Sequence, residues 1–211
     1  MDIKDTSQND NDLKPIIEKV RQYTLAAVTK QRYEHSVRTA ETAAGLCRIF
    51  KIDADRGFLA GIGHDMCKNM NDTLLLSLAG HDGKPISYLE KGKPSLLHGR
   101  AAAVKMYEDF HVTDTELLQA VACHTFGAPD LCDLAKILYV ADKIEPGRSY
   151  STEEYRSKLF KMDLNTLTRT VVQDNISYLE KKKHSIAAET IHFLDSLKQQ
   201  TDQKQEKGSK K

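Results

Sequence analysis

Phe58-Leu59-Ala60-Gly61-Ile62-Gly63-His64-Asp65-Met66-Cys67-Lys68 is the stretch around which the rest of the chain is read. Up to His64 every position is apolar or small, so a helix here is buried on all faces rather than amphipathic. Ionisable groups then stand where none is expected. In helical phase Asp65 shares a face with Gly61 and Ile62, and Lys68 follows His64 by one turn. A charge inside a protein needs a partner or a metal. Gly61 and Gly63 each cost a helix about 1 kcal/mol relative to alanine, which is tolerated where another backbone or a site comes close. The alternative for His64-Asp65 is a fraying helix end.

With 211 residues, of which 40% are hydrophobic and 7% aromatic, the chain can bury one full-sized core and reads as a single domain. Thirty-one basic and thirty acidic residues leave a net charge of +1. No global field favours nucleic acid or an anionic membrane, so binding depends on a local site. Residues 1–12 are polar and acidic without an apolar core, and no run approaches the ~18 apolar residues of a membrane span. The chain therefore reads as soluble and cytoplasmic. Cys47, Cys67, Cys123 and Cys132 sit inside helical patterns without zinc-type pairing, as reduced core thiols do.

Outward from the central stretch, the periodicity predicts an all-α fold. A disordered leader (1–12) precedes a helix over 13–28, with Asn11 or Asp12 as cap and Pro15 in the first turn. A second helix covers 31–50, where His35 falls with Thr39 and Thr42 on the edge of the apolar arc. Asp53 or Asp55 starts the central helix; Asn71 or Asp72 caps a short one ended by Gly80. Residues 81–96, rich in glycine and proline, read as a loop with one helical turn at 86–90. A helix from His98 to Phe110 follows, then a Thr113–Glu116 capping box opening a helix with Leu117, Val121 and His124 on one stripe. In the helix 131–143 an aspartate, Asp142, continues the stripe of Leu131, Ala135 and Leu138 inward. Ile144 to Arg148 breaks that helix. Further helices are expected at 152–160, 163–182 and 186–198, followed by a disordered lysine-rich tail over 199–211.

His35, His64, Asp65, His98, His124 and Asp142 thus come from five helices, each where phase or burial disfavours a surface role. Helical bundles converge side chains on interior metal sites. Imidazole and carboxylate without thiolate suit iron, manganese or zinc, and six ligands exceed what one open catalytic ion needs. Two ions sharing Asp65 are the natural reading. Paired ions acidify a water and stabilise the attacking and leaving oxygens in displacement at phosphorus. His81, His111, His184 and His192 lie in loops or on polar faces and fall outside the set.

One His, an adjacent His-Asp and a distant Asp resemble the signature of the HD-domain phosphohydrolases. The segments Arg32-Tyr33-Glu34-His35-Ser36, Gly61 to Lys68, Leu96-Leu97-His98-Gly99, His124-Thr125-Phe126-Gly127 and Ala141 to Arg148 narrow the resemblance to the YqeK family of bacterial symmetrical bis-nucleosyl-tetraphosphatases, from about residue 13 to 195 within a domain expected over 13–198. The resemblance implies hydrolysis of diadenosine tetraphosphate to two ADP at a di-iron-type site. It assigns His35, His64, Asp65 and Asp142 to one metal, and Asp65, His98 and His124 to the other. Lys68 and Arg148 would meet phosphate oxygens in catalysis, Thr125 would contact substrate or orient a ligand, and Glu145 would orient a ligand. The alternatives are another HD-type phosphohydrolase of nucleotides and a nucleotide-sensing binding module, the latter supported only by the basic tail.

Overall fold

A computed structural model describes residues 12–208, with side chains to residue 200. The leader expected over 1–12 lies, apart from Asp12, outside the described residues. The described chain is built from α1 (Lys14–Ala27), α2 (Lys30–Ile49), α3 (Ala54–Gly63), α4 (Asp72–Gly80), α5 (Tyr88–Gly92), a 3-10 turn (Pro94–Leu97), α6 (His98–Phe110), α7 (Thr115–Cys123), α8 (Asp133–Ile144), α9 (Glu153–Leu159), α10 (Leu164–Lys181) and α11 (Ala188–Gly208). No strand occurs among the described residues, as the periodicity predicts.

α3 is the centre, packed against α1, α2, α7 and α8. From Leu59 to Gly63 it has no polar side chain, because these four neighbours leave that half no solvent face. α8 is buried even more completely than its apolar stripe suggests. Every residue from Leu134 to Asp142 is buried, since α2, α3, α7 and α10 surround it. Lys136, inside this helix, is neutralised and hydrogen-bonded by Asp133, Asn165 and Gln200 at 3.2, 2.9 and 3.4 Å. A buried ammonium so partnered ties α8 to α10 and α11.

Several local expectations are corrected. Thr113 and Glu116 do not form a capping box: Asp114 caps α7, accepting from the Glu116 and Leu117 N–H groups at 3.1 Å. Glu116 is drawn instead to Arg56 at 2.8 Å. A capping box does form where the loop was expected, between Ser87 and Glu90, so the helical turn is Tyr88–Gly92 rather than 86–90. α1 lacks a side-chain N-cap; Asp12 accepts from the Lys14 N–H at 3.1 Å. α11 does not stop at Lys198 but continues to Gly208, into the tail expected to be disordered. Buried Phe193 and Leu197 start that helix, and lysine, glutamine and glutamate propagate it without needing anything to bury.

The glycines of the central stretch answer to close packing. A methyl group at Gly61 would fall on the backbone of Ala40 in α2, whereas one at Gly63 would meet the flexible Met106 side chain at 3.0 Å. Gly61 therefore sets how near α2 and α3 approach. Gly61→Ala should lower unfolding stability by about 1–3 kcal/mol, the usual cost of overpacking, despite alanine's better helix propensity. Denaturant midpoints would show it, and an unchanged midpoint would contradict the contact.

α3 and α7 are also joined through Arg56, whose Nε and Nη2 meet the Asp114 carboxylate at 2.6 and 2.9 Å. Burial alone would raise the Asp114 carboxyl, but the Arg56 hydrogen bonds hold it below the usual range. A carboxyl depressed in the folded state stabilises above its unfolded pKa and loses that contribution as pH falls through its folded value. Asp114→Asn keeps a good cap and removes the charge. It should cost up to about 1 kcal/mol near neutrality and nothing once Asp114 would be protonated, so wild type and variant should converge as pH falls through the depressed folded-state pKa of Asp114, under the ordinary aspartate range. Chemical denaturation across pH would measure the convergence.

Candidate metal centre

His64 and Asp65 lie just past the end of α3, not within it. α3 closes at Gly63, and residues 64–69 follow as tight turns, with the Met66 and Lys68 N–H groups bonding back to Gly63 and Asp65 at 3.1 and 2.9 Å. The helix end is not frayed: His64 is 0% and Asp65 3% exposed. His124 occupies the same position at the end of α7 and is also buried. His98 opens α6, and His35 and Asp142 lie within α2 and α8.

The four imidazoles are held in one way. The Nδ1–H of His64 donates to the Gly61 carbonyl at 2.7 Å, that of His124 to Val121 at 2.7 Å, and that of His98 to Ser95 at 2.8 Å. His35 Nδ1–H donates to the Glu145 carboxylate at 3.1 Å. Carbonyls and carboxylates only accept, so each Nδ1 carries the proton and each Nε2 presents a lone pair. The rings stack edge to face in the order His35, His64, His124, His98, with centroids 5.2, 4.8 and 4.9 Å apart. Their Nε2 atoms share one interior space.

Asp65 divides that space. Its Oδ2 lies 3.9 Å from His35 Nε2 and 3.7 Å from His64 Nε2, while Oδ1 lies 3.0 Å from His98 Nε2 and 3.8 Å from His124 Nε2. Asp142 Oδ1 faces the first pair, 3.1 Å from His35 Nε2 and 3.8 Å from His64 Nε2. Donor atoms of His35, His64 and Asp142, and of His64, Asp65 and His124, converge closely enough to hold a metal ion. Two observations fit a cation there. His35 Nε2 and His64 Nε2 are buried without a hydrogen-bond partner, and the lone pairs of His98 and His124 Nε2 face each other at 3.1 Å. Such donors repel unless positive charge lies between them.

Protonation favours the same use. Burial pushes the His64 and His124 imidazoles down toward the neutral form. Burial would raise the Asp65 and Asp142 carboxyls. The imidazoles around Asp65 and, at Asp142, Lys143 above all, hold both well below the carboxylate range. Glu145 falls to about 2: burial opposes this, but hydrogen bonds from His35, Arg38 and the Gly147 N–H outweigh it. A neutral imidazole beside an ionised carboxylate is the state a metal ligand needs.

Cations surround the cluster. Arg148 Nη2 meets Asp142 Oδ1 at 2.8 Å, and Lys68 Nζ lies 3.1 Å from His98 Nε2. Thr125 Oγ1 stands 3.5 Å from both His98 and His124 Nε2. Three further cations were not singled out from the sequence. Arg32 Nη1 meets Asp65 Oδ2 at 2.6 Å, Arg38 Nε meets Glu145 at 2.5 Å, and Lys143 Nζ meets Asp142 Oδ2 at 2.9 Å. Arg32 and Arg38 flank His35 at i−3 and i+3 on α2, the one signal that could have found them. With Arg148 they line a cleft of about 230 Å³ that reaches His35 and Glu145. Five cations against three carboxylates make this a site for an anion carrying several charges. Of the four excluded histidines, His81 pairs with Glu108 on the surface at 3.0 Å. Cys47, Cys67, Cys123 and Cys132 are free thiols outside the cluster.

Residues 32–147 match the HD domain family, the segment from Arg32 to Gly147 that contains all six clustered residues. The chain is 31% identical over 179 residues to a symmetrical bis(5'-nucleosyl)-tetraphosphatase of Halalkalibacterium halodurans, covering 85% of this chain and 95% of that protein. It is 30% identical over 175 residues to the Bacillus subtilis protein of that name, covering 81% and 94%. A crystal structure of a Clostridium acetobutylicum HD superfamily hydrolase, described as involved in NAD metabolism, superimposes with a TM-score of 0.79 at 27% identity, covering 87% of this chain and 97% of that one. The chain belongs to the HD-domain family, in the branch of the symmetrical bis(5'-nucleosyl)-tetraphosphatases.

Proposed function

We propose that this protein is a metal-dependent hydrolase that splits dinucleoside tetraphosphates, diadenosine tetraphosphate foremost, into two nucleoside diphosphates. The observation that carries the reading is the Asp65 carboxylate, one oxygen toward His35 and His64 and the other toward His98 and His124, inside a ring of cations. The name shared by the relatives supplies the substrate class. His35, His64, Asp142 and Asp65 Oδ2 would hold one divalent ion; His98, His124 and Asp65 Oδ1 would hold a second. Iron is the ion we infer, with manganese and zinc as alternatives, because the donors are imidazole and carboxylate without thiolate. Such a pair supplies an acidified water and positive charge at the reacting phosphoryl group.

The chain's own residues do the rest. Arg32, Arg38 and Arg148 present guanidinium groups at the cleft beside the cluster, where they can grip phosphate oxygens in bidentate fashion. Lys68 is positioned from the His98 side, and burial lowers its pKa. Thr125 offers a hydroxyl to a ligand or a phosphate oxygen. Glu145 holds His35 in the tautomer that exposes Nε2. In the reaction, a water oxygen bonds to one of the two central phosphorus atoms, the bridging P–O bond between them breaks, and each half departs as a diphosphate. Cations around the phosphates stabilise the charge that builds on the leaving oxygen. Among the described residues no helix is long and apolar enough to cross a membrane. The free thiols suit the reducing cytoplasm, where we place the enzyme.

Purified protein should carry close to two first-row ions per chain, and Asp65→Ala should lose both, because one carboxylate serves the two positions. Elemental analysis and the rise in melting temperature on adding ferrous or manganous ion provide the readouts. Fully active metal-free protein would contradict the assignment.

Incubated with diadenosine tetraphosphate and either ion, the protein should yield ADP alone on chromatography. Equal amounts of ATP and AMP would exclude symmetric cleavage, and turnover confined to mononucleotides would point to another phosphohydrolase. Arg148→Ala should keep its metals and lose on the order of ten- to a thousandfold in turnover.

A further inference from the structure

A second cavity, about 440 Å³ in volume, opens between the C-terminal end of α8, the segment after it and α10. It differs from the arginine cleft in chemistry. Tyr150, Tyr155 and Tyr178 line it, with Val171 and Ile144 as apolar wall and Asp174 and Asn175 as polar groups. Tyr150 and Tyr178 stay half exposed, at 53% and 49%. Their rings lie 6.2 Å apart with a 36° tilt, an open pair rather than a closed stack.

Lys143 joins this cavity to the metal centre. Its side chain lines the cavity, while its Nζ meets Asp142 Oδ2 at 2.9 Å and lies 4.1 Å from the centre of the Tyr139 ring. The Tyr150 hydroxyl donates to the Lys143 carbonyl at 2.8 Å, fixing the aromatic wall to the residue after Asp142. α10, which supplies Asp174, Asn175 and Tyr178, lies beyond residue 147, where the match to the HD family ends. The shared segment thus carries the metal cluster, and the helix added after it carries an aromatic pocket one residue from a cluster carboxylate.

We propose that this cavity seats the base and ribose of one half of the dinucleotide, with the base on the Tyr178 ring, Tyr150 as the second wall, and the phosphates running past Lys143 toward Asp65 and Asp142. This rests on the hydrolase reading above and adds where a nucleoside sits. Small-molecule sites occupy about 300–1,000 Å³, so 440 Å³ suits one nucleoside but not a whole dinucleoside tetraphosphate. Tyrosine faces stack with any base, and the Asp174 carboxylate, one oxygen of which accepts from Tyr155 at 2.5 Å, can accept from a base N–H.

The test uses full-length, manganese-loaded protein titrated calorimetrically with ADP and with pyrophosphate, a probe lacking base and sugar. Tyr178→Ala should weaken ADP binding about tenfold, as loss of one base–aromatic stack does, and leave pyrophosphate binding unchanged. Tyr178→Trp should restore ADP affinity. Since Tyr178 is half exposed, the variants should melt near the wild-type temperature. Equal ADP affinity in wild type and Tyr178→Ala would overturn the subsite, as would parallel loss of both ligands. The two readings fail separately. Wild-type cleavage of diadenosine tetraphosphate with an unchanged KM in Tyr178→Ala removes the subsite alone; no cleavage by the wild type removes the hydrolase reading and the subsite with it.

Discussion

A single buried carboxylate organises this protein. Asp65 is 3% exposed, with Arg32 Nη1 at 2.6 Å and four imidazoles around it, and its carboxyl is held well below the ordinary carboxylate range. An uncompensated carboxylate in that position would be strongly destabilising. The helices that bring compensation to it are the ones that define the core: α2 with His35 and Arg32, α6 with His98, and α7 ending in His124. The fold and the site are therefore one problem. Three of the four histidines stand at helix ends, where Nδ1 bonds a carbonyl of the adjoining turn and leaves Nε2 for the centre.

The two halves of the site differ in what backs them. On the side of His35 and Asp142, a second layer of Glu145, Arg38, Arg148 and Lys143 pairs every carboxylate with a cation. On the side of His98 and His124, backbone carbonyls do the orienting, and Lys68 and Thr125 are the side chains that come close. Charge is thus concentrated at one mouth of the site, where a polyphosphate would first arrive.

Helical phase was enough to find the fold class and to gather the six clustered residues. His35 betrayed itself by lying beside small hydroxyl residues on a buried edge, and Asp142 by extending an apolar stripe. What phase could not show was that His64 and Asp65 lie past the end of α3. A helix and a run of tight turns share the same short-range spacing over a few residues, and burial hides the difference. Arg32 and Arg38 escaped notice because arginine on an amphipathic helix is ordinarily solvated; only the approach of Asp65 and Glu145 from distant segments gives them a role. The end of α11 was hidden for the opposite reason. The composition past Lys198 offers no apolar stripe to read, yet lysine and glutamine have the helix propensity to continue a helix already started.

The contact between Gly61 and the Ala40 backbone reaches further than packing. α2 carries His35 and α3 delivers His64, and the two imidazoles keep their centroids 5.2 Å apart. That interval is machined by two main chains touching, with no side chain between them to compress or stretch. Replacing a ligand by another residue type would change the chemistry of the donors and leave the gauge untouched. Efforts to retune the centre toward an ion of different radius would thus begin at positions 40 and 61, which supply no donor atom, since they hold the ruler.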